Sequence, residues 1–172
     1  MSMRVRVTRQ DDAPALLKLY QRVARNPGGL ARREAEIDIG YIDGFLSRAQ
    51  AAGVSYVAES DAGELIAEMH AYSPGIECFS HVLSELTIAV DPQTQGSGVG
   101  RRLFVTFMRH VVDSCPDITR VELIVRQSNN RAIRFYESLG FQREGMLGHR
   151  IRNTDGSLEA DIPMAWIRGE AG

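Results

Sequence analysis

The chain has 172 residues, 44% of them hydrophobic, and a formal net charge of −2. That length suits one domain spanning 1–172 with a proper core. The balanced charge gives no reason to expect nucleic acid or a membrane surface as partner, and no apolar run approaches the roughly 20 residues of a membrane span. Cys78 and Cys115 have no metal-ligand spacing and read as free thiols in a reducing compartment. Met1-Ser2-Met3-Arg4 leads into an alternating run, not an apolar signal core, so the expected location is the cytoplasm.

In chain order, Arg4–Thr8 alternates as a first strand, and Asp11 and Asp12 are expected to cap a helix carrying Leu16, Leu17, Tyr20 and Val23. Asn26-Pro27-Gly28-Gly29 breaks the chain. A second helix is predicted from about Glu34 to Ala52, with Ile37, Ile39, Ile42 and Phe45 as its apolar positions. Val54–Glu59 and Glu64–Ala71 form a hairpin around Asp61-Ala62-Gly63, and a strand follows at 83–90. Beyond a glycine-rich loop, Leu103, Phe104, Phe107, Met108 and Val111 keep the period of a helix with one buried stripe. A strand at 120–125 leads to a helix N-capped by Asn129 and stopped by Gly140. The last hairpin pairs 141–151 with 158–167 around Asp155-Gly156. There Leu158, Ala160, Ile162, Met164 and Trp166 alternate inward, and Pro163 predicts a break in pairing or an edge position.

The loop Gln95-Gly96-Ser97-Gly98-Val99-Gly100 sits between the strand ending at Val90 and the helix opening at Arg101. Three glycines in five residues let the backbone turn with its N–H groups outward, and the helix start adds free donors and a positive dipole end. Such a nest suits a diphosphate without needing a basic side chain. It is not a Walker A loop, because Arg101 and Arg102 stand where Lys-Ser/Thr is required. It is not a dinucleotide fingerprint either, because neither Gly96 nor Gly98 begins a Gly-x-Gly-x-x-Gly. On spacing alone, a plain connecting turn stays open beside the anion cradle.

A second constellation, Asn129-x-x-Ala132-x-x-x-Tyr136-x-x-x-Gly140-Phe141, follows one strand later. Together with Gln95-x-x-Gly98-x-Gly100 it resembles the GCN5-related N-acetyltransferase (GNAT) family, over residues 83–168. The resemblance implies an α+β fold. Its central sheet is mixed and mostly antiparallel, with a splayed strand pair and helices on both faces. It implies acetyl-CoA as cosubstrate and no metal. The diphosphate would lie on the loop from Gln95 through Gly96, Ser97, Gly98, Val99 and Gly100, with Arg101 as a direct contact. The pantetheine arm would pair with Ile88, Ala89 and Val90, the Val90 amide polarising the thioester carbonyl. Asn129 and Tyr136 would close the cofactor side, with Tyr136 as general acid to the leaving sulfur.

Glu85, on one strand face with Thr87 and Ala89, is a candidate base acting directly or through water, or else an ordinary strand-end carboxylate; His81 is its rival. Ribosomal-protein N-terminal acetylases of the family carry a glutamate base in the later strand. Its position matches Ile124 here, so that mechanism does not carry over; Glu122 is a substitute two residues away. The tail from Phe141 to Met164 is similar to acetylases of free amino acids and phosphinothricin-like compounds; His149, Arg150 and Arg152 either reach a substrate carboxylate or form a solvated strand face. The resulting expectation is acetyl transfer to the primary amine of a small molecule, an amino acid above all. A protein N-terminal or lysine acetylase and a non-catalytic acyl-CoA-binding module are the alternatives. Homodimerisation is left open.

Overall fold

Every residue of the strand Leu65–Tyr72 is buried, and the other elements are arranged around it. The computed structural model describes residues 3–26, 28 and 30–169. In chain order the elements are β1 (Met3–Val7), α1 (Ala13–Ala24), α2 (Ile39–Ala52), β2 (Gly53–Ser60), β3 (Leu65–Tyr72), β4 (Val82–Val90), α3 (Val99–Ser114), β5 (Arg120–Arg126), α4 (Asn130–Glu137), β6 (Gln142–Arg143), β7 (Leu147–Arg152) and β8 (Leu158–Ile167). The strands form one sheet, ordered β1-β2-β3-β4-β5-β8-β6, with β7 also on β8. All pairs are antiparallel except β4–β5, which is parallel. This is the mixed, mostly antiparallel α+β architecture expected.

Two cores hold the helices on opposite faces. Leu103, Phe104, Phe107 and Val111 of α3 and Ile133 and Tyr136 of α4 pack with Met69, Leu83, Val121, Leu123 and Met164. Leu16, Leu19, Tyr20 and Val23 of α1 and Ile42, Phe45 and Leu46 of α2 pack with Val57, Leu65 and Ala89. Each large side chain so buried contributes about 1.5–3 kcal/mol of transfer free energy. Alternation along the strands sends one residue to each core in turn.

Three local expectations need correction. The second helix starts at Ile39, not near Glu34: Asp38 is extended (φ −120°) and its carboxylate accepts from the Tyr41 N–H at 2.8 Å. Ile37 is buried ahead of the helix, and Ile39 is 46% exposed. Asp12 does not cap α1 with its side chain; it accepts from the Arg9 N–H and from Arg6, each at 2.8 Å. Leu158 is exposed at the hairpin tip. Pro163 marks the change of partner along β8, from β6 at Met164 to β7 at Asp161, where a missing N–H costs no ladder bond. Pro27 and Gly29 of the early chain break lie outside the described residues.

Candidate active site

β4 and β5 pair only at Val82↔Arg120 and Leu83↔Val121. Beyond Leu83 the strands part, and one edge of β4 is left without a ladder. The phase of the β3–β4 ladder decides which groups that edge presents. The Asp91 N–H donates to the Ile66 carbonyl at 2.9 Å, and Ala67↔Val90 and Met69↔Ile88 follow in step. In an antiparallel ladder, bonded and non-bonded pairs alternate. The N–H and C=O of Ile88 and Val90 therefore point away from β3, into the wedge. Ala89 faces the other way: its backbone pairs with Glu68 and its methyl is fully buried, so it presents nothing to the wedge.

The glycine loop lies at the open end. Gly96 (φ 83°) and Gly98 (φ 86°) are left-handed, and a Cβ on either would have nothing within 4 Å, so the outer face of the loop is open. Gly100 turns inward, where a Cβ would stand 3.3 Å from Val90 Cγ2; its missing side chain lets α3 approach β4 closely. The first-turn amides of Val99, Gly100 and Arg101 have no carbonyl one turn earlier to accept them. Gln95 is exposed, whereas the Ser97 amide donates to the Thr94 carbonyl and Val99 anchors the helix in the core. Arg101 is exposed beside the loop. Asn129 caps α4 by accepting from the Ala132 N–H at 3.1 Å.

Tyr136 sits on the inner face of α4 among Phe104, Phe135 and Phe141, with ring centroids 5.4–6.0 Å apart. Burial pushes its phenol up to about 12. Among the described residues its hydroxyl has no hydrogen-bond partner, and no buried side-chain oxygen there is left unpaired. The hydroxyl therefore reaches solvent.

Glu85 has φ 54° at a bulge, where the ladder shifts between His70 and Tyr72 and β4 gains a residue over β3. The bulge turns Glu85 into a cavity of about 400 Å³ on the α1/α2 face. Thr87, Phe45, Tyr41, Tyr72 and His70 line it too, with Arg32 and Glu36 from the connection ahead of α2. His81 is exposed at the closed end of the wedge and does not line this cavity. Glu122 is held by Arg120 at 2.8 Å. His149, Arg150 and Arg152 lie on β7 away from the cavity, with Arg150 3.4 Å from Asp161. The cation in the cavity is Arg32, which the sequence pattern does not single out; it stacks 4.4 Å from the Tyr41 ring.

Beneath the cavity lies a network that sequence reasoning also missed. Glu68, with no exposed surface, accepts from the Tyr20 hydroxyl, from Ser55 Oγ at 2.9 Å and from His70 Nδ1 at 3.1–3.2 Å. Glu68 and His70 share a face of β3 two residues apart, which is the only signal the sequence carries. Tyr20 and Ser55 arrive from α1 and β2.

Residues 13–141 match the model of the acetyltransferase (GNAT) family, and the chain belongs to that family. Mycothiol acetyltransferase of Nocardiopsis dassonvillei is 40% identical over 72 residues, 42% of this chain and 21% of the relative. The [ribosomal protein bS18]-alanine N-acetyltransferase of Escherichia coli K12 is 40% identical over 86 residues, 47% of this chain and 55% of the relative. The chain thus spans between a fifth and about half of the length of these relatives. A putative acetyltransferase from Salmonella typhimurium, solved with acetyl-CoA, superposes with a TM-score of 0.83 at 17% identity, over 100% of this chain and 97% of that one; the likeness is one of fold.

Proposed function

We propose that the protein transfers an acetyl group from acetyl-CoA to the primary amine of a small molecule, an α-amino acid above all. The observation that carries this reading is that two openings meet on β4: the wedge on its free edge and the 400 Å³ cavity on its α1/α2 face. The residues present fit the coenzyme. Gly96, Gly98 and the first turn of α3 offer an open, electropositive nest for a diphosphate. Ile88 and Val90 offer free amides and carbonyls to an extended amide-bearing arm. Bound there, acetyl-CoA supplies an electrophilic thioester carbonyl.

The chain's own groups then divide the work. The Val90 N–H, pointing into the wedge, donates to the carbonyl oxygen as it gains charge. The Tyr136 hydroxyl, on the inner face of α4 and reaching solvent, donates toward the leaving sulfur. Glu85 and Glu36 attract the acceptor's ammonium into the cavity, and Arg32 offers a planar fork to its carboxylate. Tyr41, Phe45 and Tyr72 enclose the side chain and exclude water. A protein N-terminus would have no carboxylate near its amine, and Arg32 would then lack a partner.

Thiol release from acetyl-CoA across a panel of amino acids, their carboxamides and short peptides tests the reading. Amino acids should turn over fastest and carboxamides distinctly slower. Preference for peptides would replace the acceptor class. Heat on binding coenzyme A with no thiol release from any amine would leave a binding module.

A further inference from the structure

We infer that His70 is the base that takes the proton from the acceptor ammonium, with Glu68 and Tyr20 as its positioning residues; the inference rests on the acetyl-transfer reading above and names a residue of that same site. His70 is 2% exposed, packed flat against Phe45 with centroids 4.0 Å apart and an interplanar angle of 11°. Tyr72 lies parallel at 5.9 Å. The ring is therefore fixed in plane and in position. Its Nδ1 faces Glu68 Oε1 and Oε2 at 3.2 and 3.1 Å. Nε2 has no partner among the described residues, yet no buried nitrogen is orphaned there. Because the ring lines the cavity, Nε2 opens into it.

A carboxylate that accepts from Nδ1–H leaves Nε2 as the lone-pair nitrogen and stabilises the charge that forms when Nε2 takes a proton. Glu68 is suited to that task because its other donors are neutral hydroxyls, Tyr20 and Ser55. Burial and the Glu68 charge push the Tyr20 phenol well above its ordinary value, so Tyr20 stays a donor and does not take up the proton itself. The groups facing the imidazole from the other elements are Tyr41 of α2, Thr87 and Glu85 of β4, and Arg32 and Glu36 from the connection before α2. Of the carboxylates around it, only Glu68 is sealed from water. Glu85 is exposed and meets the ammonium at the cavity's edge.

The proton balance is complete with these groups. The ammonium yields one proton to Nε2, and His70 returns it to water through the cavity mouth. The freed nitrogen lone pair forms the C–N bond, the C–S bond breaks, and its electron pair stays on sulfur. The second proton that nitrogen sheds on becoming an amide reaches that sulfur through water in the cavity, while the Tyr136 hydroxyl steadies the sulfur by a hydrogen bond.

The test is the pH profile of kcat and kcat/KM for the whole chain with its best amine, in wild type and in three variants. His70→Asn keeps a donor toward Glu68 but removes Nε2. It should lower kcat by roughly 10²–10⁴-fold and abolish the acid limb, with acetyl-CoA affinity by calorimetry unchanged within about threefold. Glu68→Gln should lower kcat with KM nearly unchanged, by up to about 10⁴-fold. Glu85→Gln needs no buried change: its acid limb should survive while KM rises. A limb that persists in His70→Asn with kcat within threefold, or one that disappears in Glu85→Gln, overturns the assignment. If the buried variants do not fold, Glu85→Gln and the temperature dependence of the wild-type limb decide, since an imidazole ionisation moves with temperature and a carboxylate's barely does. A wild type that binds acetyl-CoA but acetylates no amine removes the acetyl-transfer reading itself, a result distinct from turnover that ignores His70.

Discussion

Replacing Tyr136 by Phe removes one oxygen from an aromatic cluster and leaves its packing in place. Among the described residues that hydroxyl bonds to nothing, so no protein hydrogen bond is lost, and unfolding free energy should move by no more than about 0.5 kcal/mol. Catalysis should move much more. A phenol pushed up to about 12 lies roughly 3.5 units above a thiol's reference value near 8.5, so complete proton transfer to the departing thiolate is uphill by about 5 kcal/mol. The hydroxyl is therefore better suited to steady the sulfur by a hydrogen bond as charge develops. That places the expected loss toward the low end of the usual range for positioned proton donors, about 10²-fold in kcat or 2.7 kcal/mol of barrier. Thiol release gives kcat, calorimetry gives acetyl-CoA affinity, and urea titration gives stability. The predicted pattern is kcat down about 10²-fold, affinity within threefold, and stability unchanged. Wild-type kcat with the same affinity would refute the role of Tyr136, and a large loss of stability would show that the hydroxyl is tied into the fold.

Three further outcomes follow from named contacts. Arg32→Gln should raise KM for an amino acid roughly tenfold and leave KM for its carboxamide unchanged, because only the former offers a carboxylate to the guanidinium; steady-state kinetics on the pair checks this. Asp12→Asn should cost about 1–2 kcal/mol in urea unfolding at neutral pH, the pair with Arg6 being partly solvated. Arg6 holds the Asp12 carboxyl below its usual range, so this contribution is present above the unfolded value near 3.8 and fades as pH falls through the lower folded value; the variant should lack that part of the acid dependence. Gly98→Ala has open space for its methyl but a φ of 86°, so it should cost about 1–2 kcal/mol of stability and weaken acetyl-CoA binding by calorimetry.

The parts of the site that are legible in the sequence are those whose chemistry is written in consecutive residues. The loop 95–100 and the helix from Asn129 to Gly140 each carry their turn glycines, caps and apolar stripe within a dozen positions, and the wedge follows from the fold those motifs specify. The start of α2 escapes the pattern because Ile37 and Ile39 continue the apolar run, although Asp38 between them is a capping residue. The acceptor side was illegible for a different reason. Arg32, His70 and Glu85 come from the connection ahead of α2, from β3 and from β4, and Tyr20 and Glu68 meet across 48 positions. The bulge that aims Glu85 places a non-glycine residue at positive φ, which no local pattern announces.

Main-chain groups hold the coenzyme in this reading, so amide-resolved NMR of the labelled protein titrated with acetyl-CoA tests it directly. The largest shifts should fall at Gly96, Gly98, Val99, Gly100 and Arg101, with Ile88 and Val90 moving and the β7 residues His149 to Arg152 staying put. Saturating acetyl-CoA that leaves the loop and β4 amides unmoved would rule out binding along the wedge.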